Sequence, residues 1–77
     1  MRVPNAYFFA QPPGILAELR DPLAQVIHDY NRQPERSRVF GVALAGYAAG
    51  LNEAMQRYGL PVRPINTRVK GIGRVGV

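Results

Sequence analysis

Apolar positions recur with a helical period in the first part of the chain. They follow one another every three or four residues from Leu16 to Tyr30, which is the spacing of one face of an α-helix. The members of this stripe are Leu16, Leu19, Leu23, Val26 and Tyr30, with Ile15 and Ile27 beside them. Pro22 interrupts it, and a proline inside a helix costs about 3 kcal/mol. Asp21 is a favourable N-cap for a helix that begins at Pro22. The pattern therefore predicts a short or kinked first helix, whose main part begins at Pro22.

A longer apolar stripe predicts a second helix over about residues 36–58. Its members are Phe40, Leu44, Tyr47, Leu51, Ala54 and Tyr58, at spacings of four and three, with Met55 beside them. Ser37 is a suitable N-cap. The sequence Gly59-Leu60-Pro61 is a stop signal, because glycine adopts the left-handed conformation that follows a helix and proline cannot continue it. Leu60 is expected to contact Met55 in a Schellman motif.

Small residues form another face of the second helix. Val42, Gly46, Gly50 and Ala54 lie four positions apart, and each interior glycine costs about 1 kcal/mol relative to alanine. Close approach of another backbone is the expected reason for that cost. One hairpin partner covers only one side of a helix, so the pattern predicts a helix-packing interface with a second chain. The predicted interface consists of Val42, Gly46, Gly50, Ala54, Phe40, Leu44, Tyr47 and Leu51.

Residues 1–13 are predicted to form an extended N-terminal arm. This stretch contains Pro4, Pro12 and Pro13, which favour extended backbone. Three adjacent aromatic residues, Tyr7, Phe8 and Phe9, lie in it and need burial elsewhere. They are predicted anchors of the arm, either on the protein's own helices or in a neighbouring subunit.

The C-terminal residues 61–77 carry most of the net charge and show no helical period. Residues 1–56 hold five basic and five acidic residues, so the whole formal charge of +5 belongs to residues 57–77. Apolar and basic positions nearly alternate from Ile65 onward, as in a strand, although three glycines and two prolines weaken an independent strand. The sequence predicts an extended basic tail that contributes to docking and not to folding. Its expected contact residues are Arg63, Arg68, Lys70 and Arg74.

Three interpretations of this tail are compatible with its sequence. Arginine pairs well with phosphate groups of nucleic acid, an acidic groove on a neighbouring protein would also accept it, and a tail that only increases solubility is the third possibility. Residues 59–77 contain no aromatic residue, so base stacking is not expected. Any nucleic-acid contact would be with the backbone and not sequence-specific.

The sequence contains few features that are typical of an active site or a cofactor site. The chain has no cysteine and one histidine, so neither a disulfide nor a thiolate or histidine metal cluster is expected. The stretch GIGRVG at residues 71–76 matches a dinucleotide-binding pattern, but no helix follows to bind the pyrophosphate. Ser37 has a capping role, and His28 lies on the polar side of its helix. We therefore expect no enzyme and no cofactor.

These patterns together predict an all-α protein with a helical hairpin at residues 14–60 and extended terminal arms. A small chain without disulfides has a limited core, which indicates a partner: a homo-oligomer or a larger assembly. The favoured function is a structural or accessory subunit of a large assembly, of the phage virion type, whose arms lace between neighbours. The alternatives are a membrane-active amphipathic helix and a ribosome-like nucleic-acid-associated protein. The 13 apolar residues 39–51 would span roughly 20 Å, too short for a bilayer core of about 30 Å, so cytoplasmic assembly is expected.

Overall fold

Two helices and a small β-hairpin follow one another along the chain. The computed structural model describes residues 10–70, together with the backbone of residues 73 and 74. Helix α1 spans Pro13–Arg32 and helix α2 spans Arg38–Arg57. Strands β1 (Arg68–Val69) and β2 (Gly73–Arg74) pair antiparallel. The helices pack against each other across the short connection at residues 33–37, so the prediction of an all-α, hairpin-like fold is confirmed.

Helix α1 is longer than its sequence predicts. It runs without a break from Pro13 through Pro22 and has 20 residues, as many as α2. The prediction of a short first helix, with the main part beginning at Pro22, is therefore wrong. Pro22 cannot donate a hydrogen bond to the Glu18 carbonyl, but both residues are exposed. The Glu18 carbonyl therefore faces solvent and not the core, and the apolar stripe on the other side of the helix remains continuous.

Both ends of α2 follow the local signals in the sequence. The Ser37 hydroxyl accepts a hydrogen bond from the backbone N–H of Phe40 at 3.3 Å. At the other end, Gly59 has a φ of 67°. The Gly59 N–H donates to Gln56 at 3.0 Å, and the Leu60 N–H donates to Met55 at 3.1 Å. These two bonds define a Schellman motif, and Leu60 packs against the core cluster that contains Met55, as predicted.

Residues 61–70, which we call the C-terminal strap, are part of the folded core. Ile65 is 4% exposed and Val69 is 0% exposed, and both belong to the hydrophobic cluster formed by the two helices. The residues between and after them, Asn66, Arg68 and Lys70, are exposed. The alternation expected of an extended segment is therefore present. The prediction that this segment contributes nothing to folding is wrong for the strap, because its apolar residues complete the core.

Small residues on α2 face the strap, and two large aromatic residues do not. Ala45 and Ala48 are completely buried, whereas Phe40 is 51% and Tyr47 is 40% exposed. At about 100° per residue, the two alanines lie on the side of α2 that carries Asn52, whose side chain binds the strap. Alanine leaves room for another backbone. The buried side of α2 is therefore centred nearer to its alanines than the stripe of large apolar residues predicts.

Candidate functional site

The strap is attached to α2 by one asparagine. The Asn52 side-chain amide donates to the Ile65 carbonyl at 2.8 Å, and its oxygen accepts from the Ile65 N–H at 2.7 Å. Both bonds are partly buried. The side chain thus pairs with the backbone of Ile65 as a neighbouring strand would, and it satisfies both polar groups of a residue that lies in the core.

Helix α1 holds the strap at two further points. The Asn31 oxygen accepts from the Lys70 N–H at 2.8 Å, and its amide lies 3.4 Å from the Arg68 carbonyl. Nearer the start of the helix, the Arg20 guanidinium donates to the Arg63 carbonyl at 2.7 Å and to the Pro64 carbonyl at 3.3 Å. It also pairs with Asp21 at 2.8 Å. Arg20 and Asn31 are eleven positions apart, or about 16 Å along the helix, so the strap follows α1 in the same direction in an extended conformation.

Three basic side chains of the strap are directed away from the core. Arg63, Arg68 and Lys70 are all exposed, while the backbone beside them is bonded to the helices. Among the residues that the structure describes, none of these three side chains forms an ion pair with a carboxylate. Residue 74, the fourth predicted contact, lies directly opposite Arg68 in the two-stranded ladder; its side chain lies outside the described residues.

Two of the three acidic residues of α1 lie away from the strap. Counting about 100° per residue, Glu18 and Asp29 lie on the opposite side of α1 from Arg20 and Asn31, which bind the strap. Both are exposed, and Asp29 accepts a hydrogen bond from Gln25 at 3.0 Å. The third, Asp21, pairs with Arg20, which also binds the Arg63 carbonyl. The exposed side chains of Arg63, Arg68 and Lys70 give the strap itself a positive surface.

The predicted helix interface separates into two groups. Leu44, Leu51, Gly50 and Ala54 are buried within this chain, and the first, second and last of them belong to its core cluster. Val42 and Gly46 are half-buried. Phe40 and Tyr47 are substantially exposed, although the Phe40 ring lies 6.0 Å from the ring of Tyr30. Only the half-buried and exposed members are accessible to another chain.

Exposed Val39 extends the accessible part of α2. Its exposure is 68%, the largest among the large apolar residues of the described structure. It lies on the same side of α2 as Gly46, since seven residues correspond to nearly two helical turns. We call Val39, Phe40, Val42, Gly46 and Tyr47 the outer face of α2.

Other predicted features take simpler roles or fall outside the described residues. The arm anchors Tyr7, Phe8 and Phe9 belong to the undescribed residues 1–9. His28 is exposed, and Ser37 caps α2. No three side chains of a metal-binding type come together among residues 10–70. Within that same range, neither helix has the length and apolarity needed to cross a bilayer.

The residues that fix the strap, Arg20, Asn31 and Asn52, were not singled out by the sequence analysis. The asparagines carried a usable signal, because asparagine is a poor helix former and Asn52 lies within an otherwise apolar helix. Comparison of the chain with protein-family models, curated protein sequences and solved structures finds no match in any of the three. The strap and the outer face of α2 are the two features of the structure that indicate a function.

Proposed function

We propose that this protein is a small structural or accessory subunit of a large assembly, of the type found in phage virions and assembled in the cytoplasm. It binds a protein neighbour through the outer face of α2 and an anionic surface through the strap. The observation that carries the proposal is the construction of the strap. Its backbone is bonded to both helices, and its basic side chains Arg63, Arg68 and Lys70 remain exposed.

This construction differs from that of a solubilising tail. A tail that only adds charge needs no fixed conformation, whereas the strap positions its basic side chains on a surface that the core supports. A segment whose backbone is already fixed loses less conformational entropy when it binds a partner. The arrangement therefore favours recognition over simple solubility.

The outer face of α2 supports a protein neighbour. Val39 and Phe40 expose 68% and 51% of their surface at the start of the helix, and the half-buried Val42 and Gly46 continue the face with small side chains. Exposed apolar surface next to small residues allows another helix to approach closely. Burial of Val39 in an assembly would remove this surface from water.

Substitution of Val39 tests the proposal. Val39→Glu places a carboxylate in the first turn of α2, where negative charge is favourable, so the isolated chain should melt at an unchanged or slightly higher temperature. In extracts of the cells that produce it, the wild-type chain should sediment with a large particle, and the variant should sediment as a small protein.

Gln56→Glu is the matched control, because it adds the same charge at an exposed site near the other end of α2. This control should still sediment with the particle. A wild-type chain found only as a small protein, or a Val39→Glu chain that remains in the particle, would contradict the proposal.

A further inference from the structure

We infer that the anionic surface bound by the strap is the sugar–phosphate backbone of a nucleic acid. The inference rests on the proposed function and specifies its partner. It is carried by the arrangement of the exposed basic residues in the strap and by the pairing of β1 with β2.

The basic residues form a line with no acidic residue between them. From Arg63 to Lys70 the extended strap spans about 23 Å at about 3.3 Å per residue, and the sequence has no acidic residue after Glu53. Arg68 and Lys70 are two positions apart and both exposed, so their Cα atoms lie about 6.6 Å from each other on one side of the strap. Each can reach a separate anion of an extended partner.

The pairing of β1 with β2 adds one more basic position to the line, because residue 74 lies directly opposite Arg68 in the ladder. Arginine forms two parallel hydrogen bonds with phosphate, which makes phosphate a suitable anion.

A nucleic acid fits this line better than an acidic protein does. Each strand of a duplex carries one phosphate for about every 3.4 Å of its rise, so its negative charge is continuous over the length of the strap. Carboxylates on a protein surface have no such regular spacing. The exposed residues between the basic positions, Pro64 and Asn66, are small enough to let a backbone approach. With no aromatic residue from 59 to 77, the strap cannot stack on bases, and binding should not depend on sequence.

Salt dependence gives the inference a quantitative form. Neutralisation of about four phosphates by Arg63, Arg68, Lys70 and Arg74 predicts a slope of about −3.6 in a plot of log K against log salt for duplex DNA. Each contact then contributes a factor of about 8 in the association constant at 0.1 M salt. The double substitution of Arg68→Gln and Lys70→Gln should reduce the slope to about −1.8 and the affinity about 60-fold.

Fluorescence anisotropy with the full chain and labelled 20-base-pair duplexes of unrelated sequences is a direct measurement. All duplexes should bind equally well. Arg32→Gln serves as the control for Arg68→Gln, since Arg32 is an exposed residue of α1, about 100° around the helix from Asn31, and its substitution removes the same charge from a position outside the strap. The control should retain both slope and affinity, while Arg68→Gln alone should lose about 8-fold. Circular dichroism of each variant should show unchanged helix content, because the substituted side chains are exposed.

Two results would overturn the inference. One is the absence of duplex binding by the wild-type chain at 50 mM salt. The other is an equal loss of duplex affinity in the Arg32→Gln and Arg68→Gln variants, which would show that the duplex is attracted by the net charge of the chain and not by the strap. Treatment of the particle with nuclease distinguishes failure of this inference from failure of the proposed function. If the chain stays in the treated particle, binds no duplex and is released by the double substitution, then the anionic partner is a protein. In that case the inference fails and the proposed function stands.

Discussion

Asn52→Ala is the most informative substitution for stability, because it removes the attachment of the strap to α2 without changing an apolar residue of the core. Two hydrogen bonds, of 2.8 and 2.7 Å, join this side chain to the backbone of Ile65. Ile65 itself is 4% exposed. After the substitution, its N–H and carbonyl groups would be left in a partly buried position without this partner.

The expected cost follows from these two bonds. A typical intramolecular hydrogen bond contributes about 1 kcal/mol net, and more when its loss leaves a buried group unsatisfied. Two bonds therefore contribute about 2–2.5 kcal/mol, from which the better helix propensity of alanine subtracts about 0.6 kcal/mol. The free energy of unfolding should decrease by about 1.5–2 kcal/mol. For a domain of this size, that corresponds to a melting temperature lower by about 6–16 °C.

Urea denaturation followed by circular dichroism measures this change. Gln56→Ala is the matched control, because it makes the same kind of substitution one turn further along α2 at an exposed position, and its effect should lie within about 0.5 kcal/mol. A loss below 0.5 kcal/mol for Asn52→Ala, equal to that of the control, would show that the strap does not depend on this attachment.

One further substitution and one truncation test the remaining corrections to the fold. Pro22→Ala should raise the free energy of unfolding by about 1–2 kcal/mol, since alanine restores the hydrogen bond to the Glu18 carbonyl inside a continuous helix. A lower free energy of unfolding, measured by urea denaturation, would contradict the view that Pro22 is only tolerated there. Truncation after Leu60 removes buried Ile65 and Val69, each contributing about 1.5–3 kcal/mol, which together approaches the whole stability of a small domain. The truncated chain should lose its cooperative melting transition in calorimetry, and a retained transition would mean that the helices fold without the strap.

Local signals predicted the ends of α2 well. Ser37 and Gly59 act through hydrogen bonds within a few residues, so their roles depend on nearby sequence alone. The alternation of Ile65 and Val69 with exposed residues was also visible. It indicated an extended segment correctly, although it did not show that the apolar residues of that segment enter the protein's own core.

Long-range contacts account for what the sequence did not predict. Arg20 and Asn31 bind backbone groups 43 and 39 residues away, and nothing in their immediate surroundings identifies those partners. Their contacts define where the strap lies. Ala45 and Ala48 belong to the same buried cluster as Ile65 and Val69 of the strap, whereas Phe40 and Tyr47 are exposed. The prediction of a helix break at Pro22 was wrong for a related reason. The cost of a proline depends on whether the carbonyl that it leaves unpaired faces solvent or the core, and this is decided by the packing of the helix.

The position of the strap has a consequence for the order in which the protein folds. The two helices can pair through a short connection while their contacts are close in sequence, but the bonds to Arg63 and Lys70 close loops of about forty residues and form more slowly. During synthesis, both helices leave the ribosome before residues 61–70 do. The nascent hairpin therefore exposes the apolar groove that Ile65 and Val69 later fill, and the core is completed only after residues 61–70 have left the ribosome.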